Sequence, residues 1–397
     1  MPTSPGGNLL YPLVEGISVD SIVRQPMVAT PKNTQPSASQ SQADDRVAVL
    51  LTGYGEVEDY DNFASYNRQA LDLLTTKFAP IPKAVTPVIS WYLANADREE
   101  WEQQHDGFVS PHNAIFEQQR QGIEQVLQNR WGERVQVFKA FNFCEPYLPE
   151  QVLANIKSQG FDKILIFPLL VVDSIFTSGI ALEQVNNGIA QLSSEHDIWV
   201  KGIRYIPSFF DQPDYTHLLA QMVEEQAESL LSAHSPSQVG IVLMNHGCPE
   251  EAGGYETGEY ESQALYGRVR QQLVHQYPLI SIGWLNHDTP LVEWTQPDAD
   301  QAAENLIALG AEAIIFAPIG FATDNHETIL DVEHIIEELQ GQYPHKTFLR
   351  MDCVNDHPEF MHMAAAWTEP LIEQLLSASA LPGNSAPAAA TAPRSRD

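Results

Sequence analysis

Two stretches of this chain set titratable side chains where an apolar run stops. Met-Asn-His-Gly-Cys-Pro (244–249) places His246 directly after such a run, and Pro-Ile-Gly-Phe-Ala-Thr-Asp-Asn-His-Glu-Thr-Ile-Leu-Asp-Val-Glu-His (318–334) follows another. A histidine at the end of a buried strand can serve as a base, although a lone one there has an equally good structural use. The second stretch reads as a helix start, with Asp324 as N-cap and Glu327 as its capping-box partner. Glu327, Asp331 and His334 also fall at i, i+4 and i+7, which is one helix face. Two carboxylates and an imidazole in a row make a track for a divalent cation of borderline softness. Neither a GxGxxG nor a GxxxxGK[ST] phosphate loop is present, and no GxSxG elbow supports serine hydrolysis.

The elements that must carry these residues alternate strand and helix, which indicates an α/β fold with largely parallel sheets. The apolar runs pair up: 47–55 with 239–247, 134–143 with 279–287, and 163–174 with 313–324. The order strand, long loop, helix, strand, helix, strand occurs twice. Two similar doubly wound, Rossmann-like lobes are therefore expected at 46–205 and 206–378, with the active cleft between them. In such folds ligands bind outside the carboxyl ends of the strands. Those ends carry Thr52, Tyr54, Asn142 and 174–177 in the first half. In the second they carry Asn245–His246, Asn286–His287–Asp288 and 324–327, so the imidazoles and carboxylates gather there.

Residues 1–45 and 379–397 lack apolar periodicity and are expected to be a disordered leader and tail. The formal charge of −31 over 397 residues repels phosphate backbones and anionic lipid heads, which argues against nucleic-acid binding. Three cysteines, Cys144, Cys248 and Cys353, lie too far apart for a CxxC zinc site or a four-cysteine iron–sulfur cluster. A reducing compartment is the simpler reading. No apolar run approaches the roughly 18 residues of a membrane span, and no secretory signal opens the chain.

The motifs together resemble the ferrochelatase family, whose members insert ferrous iron into a porphyrin. Met244–Pro249 is similar to the family's S-A-H-[SG]-x-P, and 318–329 to its P-[IV]-x-F-x-[ST]-[DE]-H-x-E-T-L. Gly258–Gln263 resembles G-D-P-Y-x-x-Q, and Trp294–Pro297 resembles W-L-x-P. Thr177-Ser178-Gly179, Ser110-Pro111, Ile206–Phe210 and Asn355–Pro358 resemble T-S-G, G-S-P, I-P-x-[WF]-[YF] and N-x-H-P. The likeness spans roughly 46–375 in preserved order.

The resemblance implies a chelatase fold and a metal-inserting lyase of haem biosynthesis. His246 would take pyrrole protons, and Glu327 would face it. His246, Glu327 and Asp331 would handle the metal. Tyr54, Arg68, Ser110 and Thr177 would contact the porphyrin. Ferrous iron would be substrate, with no tightly bound cofactor, in a cytoplasmic monomer or weak homodimer. The chain departs from the family at Asn142-Phe143, at Asn245 and at Asn325, where the family has its histidine. The displaced His326 lies about 100° further round a helix, so it is not expected to take that role, which leaves Asn325 there as a neutral hydrogen-bonding group. Rival readings are a chelatase for another tetrapyrrole such as sirohydrochlorin, or a catalytically silent tetrapyrrole-binding relative.

Overall fold

The computed structural model describes residues 45–58, 62–77, 85–92, 95, 108–193, 199–250, 256–287 and 293–377. The expected leader, apart from its last residue, and the expected tail lie outside these residues. The strands are β1 Val47–Gly53, β2 Val135–Phe141, β3 Lys163–Pro168, β4 Gly202–Tyr205, β5 Val239–His246, β6 Leu279–Leu285, β7 Ala313–Ala317 and β8 Thr347–Arg350. They form two parallel four-stranded sheets in the orders β2-β1-β3-β4 and β6-β5-β7-β8. The second order repeats the first, which gives the two α/β lobes their common plan. The edge strands β4 and β8 escape the sequence reading, because each is only four residues long and carries polar side chains.

The helices are α1 Phe63–Lys77, α2 His112–Trp131, α3 Pro149–Ser158, α4 Ile180–Leu192, α5 Pro213–Glu228, α6 Glu259–Leu273, α7 Ala299–Ala308, α8 Val332–Gln342 and α9 Pro358–Ser377. Crossover helices cover both faces of each sheet, so central strands are apolar without alternation. In β1, Val47, Val49 and Leu51 face one layer, while Ala48 and Leu50 face the other. The first layer also takes Val239, Ile241 and Leu243 of β5, so one core runs through both lobes.

The last helix ties the halves together. Although α9 ends the second half in sequence, it packs on α2, β1, β3 and β4 of the first lobe. The approach is close at Gly122, where a Cβ would lie 1.8 Å from Met361 Sδ. Arg130 of α2 also pairs with Glu369 and Glu373 of α9. Among the described residues, no helix is long and apolar enough to cross a membrane.

Candidate functional site

Three neighbouring strands of one parallel sheet, β6, β5 and β7, deliver their carboxyl ends to one place. His246 is the last residue of β5. His287 follows β6 by two residues, and Glu327 opens a π-helical turn, Glu327–Asp331, after β7. His246 Nε2 lies 3.2 Å from His287 Nε2 and 3.5 Å from Glu327 Oε1. His287 Nε2 lies 3.7 Å from the same oxygen. Atoms at these separations can share one cation at the roughly 2.0–2.2 Å typical of imidazole and carboxylate ligands, with positions left open for substrate. Among the described residues this is the one group of three or more such side chains placed to hold a metal.

Charge in the group is set by burial against proximity. Burial works to raise the Glu327 pKa, but the charge and hydrogen bond of His246, reinforced by His326 and His287, hold it far below the usual carboxylate range. Burial works to lower His246, and the Glu327 carboxylate outweighs it, so the imidazole titrates above its ordinary value. For His287 burial wins and the pKa falls. His246 Nδ1 sits 2.6 Å from the Gly247 carbonyl oxygen. That contact assigns the neutral ring's proton to Nδ1 and leaves the Nε2 lone pair facing the group.

The group opens on a cavity of about 430 Å³ between the lobes, lined from the first lobe by Tyr54, Glu56 and Thr177 among others. Tyr54 directly follows β1, the first-lobe equivalent of β5, and Thr177 lies in the π-helical turn Ile175–Gly179 after β3, as Glu327 lies in the turn after β7. The first lobe thus supplies hydroxyls where the second supplies a base and an acid. Tyr54 stacks edge-on against Phe143 at 4.8 Å. Burial, then the Glu327 charge, keeps its phenol protonated well past the usual range. Thr177 Oγ1 accepts the Ser174 N–H at 2.9 Å and donates to the Val172 carbonyl at 3.1 Å.

Ser110 is buried below the cavity wall, where its Oγ accepts the His112 N–H at 3.3 Å and its hydroxyl supports the Glu56 carboxylate. Arg68 is placed elsewhere: it is exposed on α1 and lines a separate surface pocket with Ser65, Gln69 and Glu150. Asp331 and His334 are also outside the group. Both are exposed, and His334 Nε2 pairs with Glu338 Oε1 at 3.3 Å. The expected row of Glu327, Asp331 and His334 assumes an α-helix, whereas the first turn is π-helical, and its wider turn breaks the four-residue spacing. The third member of the group is His287. Its sequence signal was its place beside Asn286 at the end of an apolar run; that this strand pairs with β5 emerges only from the fold.

Capping of this turn also differs from expectation. Asn325 Oδ1 accepts the Thr328 N–H at 2.8 Å while Thr328 Oγ1 accepts the Asn325 N–H at 2.9 Å. Asn325 is the cap, so the Glu327 side chain is free to face the cavity. Asp324 is instead a buried anchor. Its carboxylate accepts from Arg350 at 2.9 Å, Thr328 Oγ1 at 3.1 Å and Asn355 Nδ2 at 2.6 Å. Replacing Arg350 with Met leaves that carboxylate without its cation. It is expected to cost about 3 kcal/mol, read as a lower urea midpoint at unchanged slope; a midpoint equal to wild type would remove Asp324 as an anchor.

His326 is not turned away from the site. It lines the same cavity, and its Nδ1 lies 2.5 Å from Glu56 Oε1 of the first lobe. Burial lowers the His326 pKa, but the bond to Glu56 and its charge lift it to about 9. The folded value exceeds the ordinary value near 6.5, so this pair contributes stability in full below about pH 6.5 and loses it as pH rises through about 9. Because His326 is 45% exposed, solvent screening keeps the effect small. The stability gap between wild type and Glu56→Gln, measured by urea unfolding, should therefore narrow from pH 6 to pH 10. A gap that widens over that range would reverse the assigned sign.

The ferrochelatase family model matches residues 46–371. The chain is 27% identical to a ferrochelatase of Synechococcus elongatus over 339 residues, 83% of each chain. It is 28% identical to one of Rippkaea orientalis over 333 residues, 81% of each. Among solved structures, it is similar to SirB from Bacillus subtilis with Fe3+, at TM-score 0.46 and 10% identity over 84% of this chain and 97% of that one. A multi-domain Deinococcus radiodurans protein, described as structurally similar to chelatases, gives TM-score 0.43 and 12% identity over 81% of this chain and 54% of that one. With a match that covers most of the chain and a histidine–carboxylate group at the strand ends where the family's motifs fall, this protein belongs to the ferrochelatase family.

Proposed function

We propose that the chain inserts ferrous iron into a porphyrin with carboxylate side chains, protoporphyrin or coproporphyrin, to give haem or coprohaem. The reaction joins one Fe2+ to a free-base macrocycle and releases its two pyrrole N–H protons. It needs a base and a place for the metal, and both must lie against the macrocycle. The observation that carries the reading is the 3.5 Å pairing of His246 Nε2 with Glu327 Oε1 on the wall of the inter-lobe cavity. The His246 Nε2 lone pair accepts the two pyrrole protons in turn and passes each to solvent, to which its ring is half exposed, and Glu327, kept ionised, stabilises the imidazolium that forms. His287, with its lowered pKa, stays neutral and available as a metal ligand.

Mixed imidazole and carboxylate ligation binds ferrous iron without holding it, which suits an ion that must leave for the macrocycle. Iron enters as substrate, and this scheme invokes no tightly bound cofactor. A cytoplasmic setting and a monomer or weak homodimer complete the proposal; three cysteines left as thiols support the compartment.

The test is anaerobic incubation of the purified protein with ferrous iron and protoporphyrin, coproporphyrin or sirohydrochlorin in turn, followed by absorbance. Conversion of the Soret band of one of the first two to that of a metalloporphyrin is expected. Conversion of sirohydrochlorin alone, or a band shift without conversion, would replace this reading by one of its rivals.

A further inference from the structure

We propose that Glu56 of the first lobe is a positioning residue for Glu327, acting through His326; the inference rests on the metal-handling role given to Glu327 above. Glu327 is carried on the stretch 322–326, and the first lobe grips that stretch at three points. Gln119 Nε2 donates to the Ala322 carbonyl at 2.9 Å. Thr323 Oγ1 lies 2.7 Å from His112 Nδ1. Glu56 Oε1 takes the His326 ring at 2.5 Å and lies 3.5 Å from the His326 backbone N–H. The third grip is adjacent to Glu327 itself. It holds both the side chain and the main chain of the preceding residue, so it sets where the π-helical turn begins.

Glu56 is itself fixed. Its backbone N–H donates to Asn113 Oδ1 at 3.0 Å, and its carbonyl accepts from Asn113 Nδ2 at 2.7 Å and from Cys144 Sγ at 3.3 Å. The chain reaches this position through Gly55, whose φ of +77° is left-handed and whose absent Cβ would lie 2.5 Å from Phe141 Cβ. Glu56 is therefore a rigid carboxylate on one lobe, directed at the residue before the acid of the other. A metal group split between strand ends of one lobe needs its members held to within about half an ångström. The turn at Glu327 is the least regular of the three supports, and it receives this fixing from outside its own lobe. The arrangement also gives the displaced His326 a use: it is the handle by which the first lobe holds Glu327.

The test is a cycle of Glu56→Ala, Glu327→Gln and the double variant, each titrated with Co2+ alone and read by its visible absorption on imidazole and carboxylate ligands. Glu56→Ala is expected to weaken Co2+ binding about tenfold in the wild-type background, the scale on which outer partners tune metal ligands. In the Glu327→Gln background it is expected to change binding by less than about twofold, the limit of additivity for uncoupled sites. A merely structural or a direct metal role would carry the tenfold loss into both backgrounds, and either that result or no loss in either background would overturn the proposal. His326→Ala should reproduce Glu56→Ala, and adding it to Glu56→Ala should cost nothing further. If Glu56→Ala fails to fold, Glu56→Gln, which keeps the shape and drops the charge, is carried through the same cycle with the same criteria. Because Co2+ binding needs no porphyrin, the cycle decides the role of Glu56 even if the wild-type protein metallates none of the porphyrins, an outcome that would refute only the proposed activity.

Discussion

His246→Ala is expected to lower turnover in metal insertion by about 10²-fold or more, the usual loss on removing a positioned base. The ring is placed for this: Nδ1 is tied to the Gly247 carbonyl at 2.6 Å, and Nε2 faces the group. It ends β5 and leaves most of its packing to the strand before it, which is fully buried from Val239 to Asn245. The variant should therefore fold with a thermal midpoint close to wild type. Measured under saturating porphyrin and ferrous iron, folded His246→Ala with more than about a third of wild-type turnover would remove it as the proton acceptor, since a base worth 10²-fold cannot be lost so lightly. His287 would then be the next imidazole in reach, at 3.2 Å.

The repeat of strand–loop pairs was legible in the sequence because each central strand is buried on both faces and reads as an unbroken apolar run. That is why His246 and Glu327 are recognisable from local pattern as residues at or beyond strand ends. The four-residue edge strands β4 and β8 lack this signal, whereas the seven-residue edge strands β2 and β6 still read as apolar runs. The membership of the metal group was only half legible. His246 and Glu327 sit in motifs, but His287 depends on β6 lying next to β5, and adjacency of strands is not written in local pattern. The α-helical phase assumed for 327–334 put Asp331 and His334 beside Glu327, and the π-helical turn removed them. Glu56 gave no signal at all. It lies 270 residues from His326, and only closure of the two lobes brings the two side chains together. Arg68 shows the opposite failure: a residue type suited to a carboxylate-bearing ligand, on a helix whose exposed face opens on a different pocket.

Glu327→Gln is expected to lower turnover by about 10²-fold and to move the pH profile in a specified direction. The substitution keeps the shape of the side chain and removes its charge. Two losses follow. The metal group is left with two imidazoles and a neutral amide, so half-saturation should need about tenfold more metal. The imidazolium formed at His246 also loses the counter-charge 3.5 Å away. The sign of the pH effect comes from the same contact. Insertion needs His246 neutral, so the rate rises with pH through the His246 pKa. In the wild type, burial lowers that pKa and Glu327 more than restores it, for a net upward shift. With the carboxylate gone the two upward contributions of Glu327 are lost and only the Gly247 hydrogen bond still opposes burial, so the rising limb must move to lower pH. The profile of kcat/KM checks this directly, because it reports the base within the free protein. A limb that stays in place would mean that another group sets it. A limb that moves up would contradict the upward pull of the Glu327 carboxylate on His246.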